Sequence, residues 1–93
     1  MTKERTIRRL TTDDGYIVET YATDDGTIVV DLDGHEHEHS DPTHASALAA
    51  FLVAVGTLSP LTGADDANYP LTRDEAAILA RHIRAAVADG CRK

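Results

Sequence analysis

Thr12-Asp13-Asp14-Gly15 recurs eleven residues later as Thr23-Asp24-Asp25-Gly26, and this repeat decides the fold. In a three-residue hairpin loop the first two positions favour the right-handed helical region and the third needs positive φ. Each Asp-Asp-Gly therefore puts its glycine where only glycine is comfortable. Two such turns imply three antiparallel strands, over residues 6–12, 16–23 and 27–33, all rich in Ile, Val, Thr and Tyr.

The loops also fix register, because pairing Thr12 with Tyr16 and Thr23 with Thr27 forces every other cross-strand row. One face then carries Leu10, Val18 and Leu32, next Arg8, Thr20 and Val30, next Thr6, Ala22 and Ile28. This is the expected core face. The opposite face carries Arg9, Glu19 and Asp31 at its centre, with Ile7, Tyr21 and Val29 on one side and Thr11, Ile17 and Asp33 on the other. An apolar row of Ile7, Tyr21 and Val29 is out of place on a wet face. With Arg9, Glu19 and Asp31 as a charged rim, it is expected to form the contact with a protein partner, or to pair with itself in a homodimer.

Two helices follow. Asp41 is placed to cap the first and Pro42 to open it, with Ala45, Leu48, Phe51, Leu52 and Val55 at helical spacing and Gly56 at its end. Thr72 to Glu75 is a capping box that starts the second, whose inner face is Ala76, Leu79, Ala80, Ile83 and Val87, with Gly90 as the stop. Between them, residues 57–71 read as an ordered loop. The order β-β-β-α-α predicts a single α+β domain over residues 1–93, with a three-stranded antiparallel sheet and both helices on one face. The expected core is Leu10, Val18, Val30, Leu32, Leu48, Phe51, Leu52, Leu79, Ile83 and Val87.

Composition narrows the function. Of 93 residues, 14 are Ala, so the core must be thin, and the one cysteine, Cys91, forbids an intrachain disulfide and a cysteine-based zinc cluster. No stretch reaches the roughly 18 apolar residues of a membrane span, and residues 1–10 are charged where a signal peptide needs an apolar run. A cytoplasmic protein with no membrane association is expected. The net charge of -7 is unevenly spread: residues 10–72 contain no Lys or Arg but twelve Asp and Glu. Such a body repels phosphate, which argues against direct nucleic-acid binding.

Gly34-His35-Glu36-His37-Glu38-His39 is the most unusual segment. Read as an extended connection, it puts His35, His37 and His39 on one side, continuing the parity of Asp31 and Asp33. Two histidines at i and i+2 can approach one metal, and His44 or Asp41 can supply a third ligand, so Zn or Ni binding through His35, His37, His39 and His44 is the alternative to a merely solvated run. No catalytic pattern accompanies it. Ser40, Ser46 and Ser59 lie in no nucleophile elbow, and Gly15, Gly26 and Gly34 are committed to turns rather than to a phosphate-binding loop.

The expectation is therefore a non-catalytic, cofactor-free, acidic interaction module that binds and modulates a partner protein, in the manner of a small phage or accessory gene product acting on a host factor. Metal binding by the histidine run is one alternative. Mimicry of nucleic-acid charge by the cation-free interval is another.

Overall fold

The computed structural model describes residues 6–62 and 69–91; Lys3, Arg5, Asp65 and Asp66 lie outside them. The chain forms four strands and three helices in the order β1 (Arg8–Thr11), β2 (Ile17–Ala22), β3 (Ile28–Leu32), β4 (His35–His39), α1 (Pro42–Val55), α2 (Ser59–Thr62) and α3 (Arg73–Cys91). The class is α+β as expected, but the sheet has four strands in the order β1-β2-β3-β4, not three.

Both Asp-Asp-Gly loops form as read. The Thr12 and Thr23 N–H groups donate to the Tyr16 and Thr27 carbonyls at 3.0 and 2.8 Å, and Gly15 and Gly26 take φ of 94° and 89°. The register follows from them: Leu10 faces Val18 and Val18 faces Leu32, while Arg9 faces Glu19 and Glu19 faces Asp31.

The fourth strand comes from a turn at Asp33-Gly34, where the sequence predicts only an extended connection from sheet to helix. Asp33 and Gly34 both adopt positive φ, 50° and 92°, the backbone of a two-residue hairpin loop for which Asp-Gly is a favoured pair. The histidine run then folds back antiparallel on β3, pairing His35 with Leu32, His37 with Val30 and His39 with Ile28. Paired residues share a face. The histidines therefore lie on the core side of the sheet, and not with Asp31 and Asp33 as an extended connection would place them.

Helix α1 starts and ends as anticipated. Asp41 accepts from the Thr43 and His44 N–H groups at 2.9 and 3.3 Å, Pro42 is in the first turn, and Gly56 closes it at φ 73°. The capping box of α3 is also present: Glu75 accepts from the Thr72 N–H at 2.9 Å and donates its own N–H to the Thr72 hydroxyl at 3.1 Å. Gly90 does not stop α3, which continues through Cys91. Its role is close approach, since a Cβ there would stand 3.3 Å from the Gly26 Cα.

α3 lies across β1, β2 and β3, and α1 lies beside α3 and reaches β4. Leu10, Val18, Val30, Leu32, Leu52, Leu79 and Ile83 are buried together as expected, with Leu48 and Val87 partly buried beside them. Ala45 and Ala49 of α1 and Ala76, Ala80 and Ala86 of α3 are buried too, so small side chains let the two helices sit close. Tyr16 closes the end of the core, donating its hydroxyl to the Pro70 carbonyl at 2.6 Å and meeting the Tyr69 ring edge-on at 5.2 Å. Burial pushes its pKa up to about 12.

Phe51 is the exception. It is 57% exposed, because α1 turns only Ala45, Ala49 and Leu52 fully inward and Phe51 falls on its far side.

Candidate functional site

Three surfaces carry the residues singled out by the sequence. On the outer sheet face, Tyr21 and Val29 are only 8% and 3% exposed, so the exposed apolar row does not form. β4 is the reason. It puts Glu38 opposite Val29 on this face, and Glu36 accepts the Tyr21 hydroxyl at 2.8 Å. Ile7 remains exposed. Beside them Arg9, Glu19, Asp31 and Glu36 form one row across all four strands. Arg9 donates twice to Glu19, at 3.0 and 2.8 Å.

A shallow cleft of about 280 Å³ opens there, lined by Arg9, Ile17, Glu19, Asp31, Asp33 and Gly34. Its polar groups already have partners: Asp31 accepts from the Gly34 N–H at 2.7 Å and Asp33 from the Ile17 N–H at 2.8 Å. The acids of this face hold turns and strands together, leaving little free to orient a substrate.

The second surface is the histidine strand. His35 is exposed while His37 and His39 are half-buried, and His44 is exposed in the first turn of α1. Burial depresses the His39 pKa, and the neighbouring His44 and His37 lower it further. The His39 Nε2 is enclosed without a hydrogen-bond partner. These rings are near one another, yet among the described residues no group of three or more His, Cys, Asp or Glu converges to hold a metal ion. Strict extension in β4 keeps successive rings on one face roughly 7 Å apart along the strand, too far for three to reach one ion without a bend.

The third surface is the outward side of α1, which includes Phe51 and Val55, two residues that helical spacing predicts to face inward. Val55, one turn on from Phe51, is 45% exposed beside it, and Val53 is 44% exposed on the opposite flank of the helix, with Ala47, Ala50 and Ala54 exposed between them. All fourteen residues of the helix lack a carboxylate, ammonium or guanidinium group. A surface helix ordinarily has a polar face opposite its apolar stripe; beyond Thr43, His44 and Ser46 in its first turns, α1 has none. That signal was present in the sequence, where the spacing of Phe51 with Leu48 and Val55 was read as one inward stripe.

The outward side of the neighbouring α3 is different again. Arg73, Ala77, Arg81, Arg84 and Ala88 recur at i, i+4, i+8, i+11 and i+15, and all five are exposed. The ion pairs among the described residues are Arg8 with Asp89 and Arg9 with Glu19, so these three arginines have no carboxylate partner there. The outer sheet face is thus acidic, whereas the exposed side of α3 carries Arg73, Arg81 and Arg84 beside Asp74.

No protein-family model matches the chain, and no curated protein or solved structure matches it either. Among the described residues no helix is long and apolar enough to cross a membrane.

Proposed function

We propose that this chain is a non-catalytic protein-binding module and that the outward side of α1 is its docking surface. One observation carries the reading: a fourteen-residue helix without a charged side chain leaves Phe51, Val53 and Val55 in solvent. Binding interfaces have this make-up, with an apolar centre, an aromatic anchor and charge only at the margin. The shallow cleft on the sheet adds support, because its acids are bonded to the protein itself.

The test is substitution on the exposed face. A Phe51→Asp, Val55→Asp variant is expected to melt like the wild type, since neither side chain is in the core, and to lose a partner that the wild-type protein captures from cell lysate. Undiminished capture by the variant overturns the reading. Sedimentation of the purified protein shows whether the face is instead closed by a second copy.

A second reading concerns the outer sheet face. Glu19, Asp31 and Glu36 stand on adjacent strands in one row, about 5 Å apart, and a row of carboxylates suits a basic partner, including a protein that otherwise binds nucleic acid. The reading is weaker, because Glu19 is neutralised by Arg9, and Asp31 and Glu36 each accept an internal bond. Loss of binding on Asp31→Asn with Glu36→Gln, and not on Phe51→Asp, would favour it.

A further inference from the structure

We infer that the free edge of β4 is half of a zinc site, in which His35 and His37 of two copies of this chain, paired antiparallel edge to edge, hold one Zn²⁺ between them. The inference is independent of the docking surface on α1. His35 and His37 stand two positions apart on one face of β4, and two imidazoles at that spacing can reach one ion, which still needs one or two further ligands. Those ligands must come from an adjacent strand at the same height. On the inner side that strand is β3, which sets Leu32 and Val30 opposite the two histidines; neither coordinates. On the other side β4 is the last strand of the sheet, so only a strand added there can complete the set. His39 is poorly placed to contribute, because its Nε2 is enclosed, whereas His35 is exposed and His37 half-buried.

The backbone of the edge suits such a strand. The Asp33 N–H donates to the Ile17 carbonyl on the β2 side, so alternation turns the backbone groups of Leu32 toward β4, those of His35 and His37 toward β3, and that of Glu36 outward. In a two-fold antiparallel pair centred on Glu36, the two Glu36 residues exchange backbone bonds, and His35 of each copy stands opposite His37 of the other. These are the non-hydrogen-bonded positions, where side chains come closest, about 4.5–5.5 Å between Cβ atoms. Four imidazoles at the corners of a rectangle about 5 by 7 Å converge above its centre, and Zn²⁺ accepts four such nitrogens in a tetrahedron. A second copy is favoured over another chain because the two-fold axis itself brings the same His-Glu-His in register. Without metal the pairing is opposed, since Glu36 meets its own mate on the outer face and each chain carries a net charge of -7. The dimer is therefore conditional on zinc.

The experiment is sedimentation of the tag-free protein in EDTA and across a zinc chloride titration, with zinc content measured on the separated species. A monomer in EDTA and a dimer holding one zinc per two chains are expected. Each of His35→Ala and His37→Ala should raise the zinc needed for half-dimerisation at least roughly tenfold, since loss even of a group that only orients a ligand costs that much. Glu36→Pro, which removes an N–H that faces solvent in the monomer, should abolish the dimer while leaving both histidines in place. Zinc should also slow hydrogen exchange of the wild-type Glu36 amide, a readout that needs no variant to fold. Phe51→Asp should dimerise with zinc as the wild type does, so the site on β4 and the docking surface on α1 stand or fall separately. A dimer that forms in EDTA, one zinc bound per monomer, dimerisation that survives loss of both histidines, dimerisation lost on Phe51→Asp, or no response to zinc each overturns the inference.

Discussion

The Glu75 carboxylate, in the first turn of α3, accepts a hydrogen bond of 2.6 Å from the Asp13 backbone N–H in the first hairpin turn. Its other oxygen accepts from the Thr72 N–H, so one buried side chain both caps a helix and pins that helix to a turn 62 residues away. Hydrogen bonds to charged groups contribute about 1.5–3 kcal/mol each. Glu75→Ala, which orphans two N–H groups, is expected to destabilise by roughly 2–4 kcal/mol. Glu75→Gln keeps one acceptor and should cost about half as much. Urea denaturation of both variants checks this, and equal losses would mean that only one of the two bonds contributes.

Gly34 is the hinge on which the histidine strand depends. Nothing lies within 4 Å of where its Cβ would be, so a substitution there meets no steric neighbour and any cost is that of positive φ, about 1–2 kcal/mol for a non-glycine residue. Gly34→Val is expected to lower stability by at least that much and to speed amide hydrogen exchange across His35–His39 more than across Ile17–Ala22. Uniform exchange rates would mean that β4 is not closed by this turn.

Much of this architecture was legible in the sequence, and the errors have physical sources. Asp-Asp-Gly fixed two turns and the register of three strands, and the Asp41 and Thr72 caps placed two helices, because these signals act within a few residues. β4 was missed because alternating His and Glu has no apolar face to announce a strand; what recruits it is the Asp33-Gly34 backbone and pairing with β3. Phe51 was misplaced because helical spacing identifies a stripe without saying which side of an uncharged helix is inward. Tyr21 and Val29 were expected in solvent because nothing in their own strands reveals Glu36 and Glu38 arriving beside them.

His82 gives the domain an acid-sensitive point. Burial lowers its pKa first, and the charges of Arg8 and Arg81 lower it further, while its Nδ1 is enclosed without a partner. His39 is shifted the same way. An imidazole whose folded pKa lies below its unfolded value binds fewer protons when folded. Its contribution to stability is complete above about pH 6.5 and is lost as pH falls from there through the folded pKa. Stability should therefore decline on going from pH 7.5 to 5, and His82→Gln and His39→Gln should each flatten that decline. An unchanged slope in both variants would assign the acid sensitivity to the carboxylates.

Thr20 is fully buried on the core face, and its hydroxyl has no partner. An unsatisfied buried hydroxyl costs on the order of 1 kcal/mol or more. Thr20→Val replaces the hydroxyl with a methyl of similar size on a strand where Val is equally at home. The variant is expected to be more stable by about 1 kcal/mol, a rise of several degrees in melting temperature for a domain of this size. A fall would show that the hydroxyl is solvated or bonded in solution.

Phe51 and Leu52 are neighbours in sequence with opposite environments, and that contrast tests which side of α1 docks. Leu52 is fully buried among Ala45, Ala49 and the residues of α3, whereas Phe51 stands in solvent. Truncating Leu52 to Ala removes core volume and is expected to cost about 2–5 kcal/mol, a large part of the stability of a small domain. Truncating Phe51 to Ala removes little buried surface and improves helix propensity, so the melt should move by no more than about 0.5 kcal/mol in either direction. A further readout separates a surface Phe51 from one that swings inward: the ring protons of an exposed phenylalanine should show little ring-current shift and rapid flipping by NMR. Should Phe51→Ala instead cost as much as Leu52→Ala, α1 is rotated about its axis, Phe51 belongs to the core, and the docking surface argued for it does not exist.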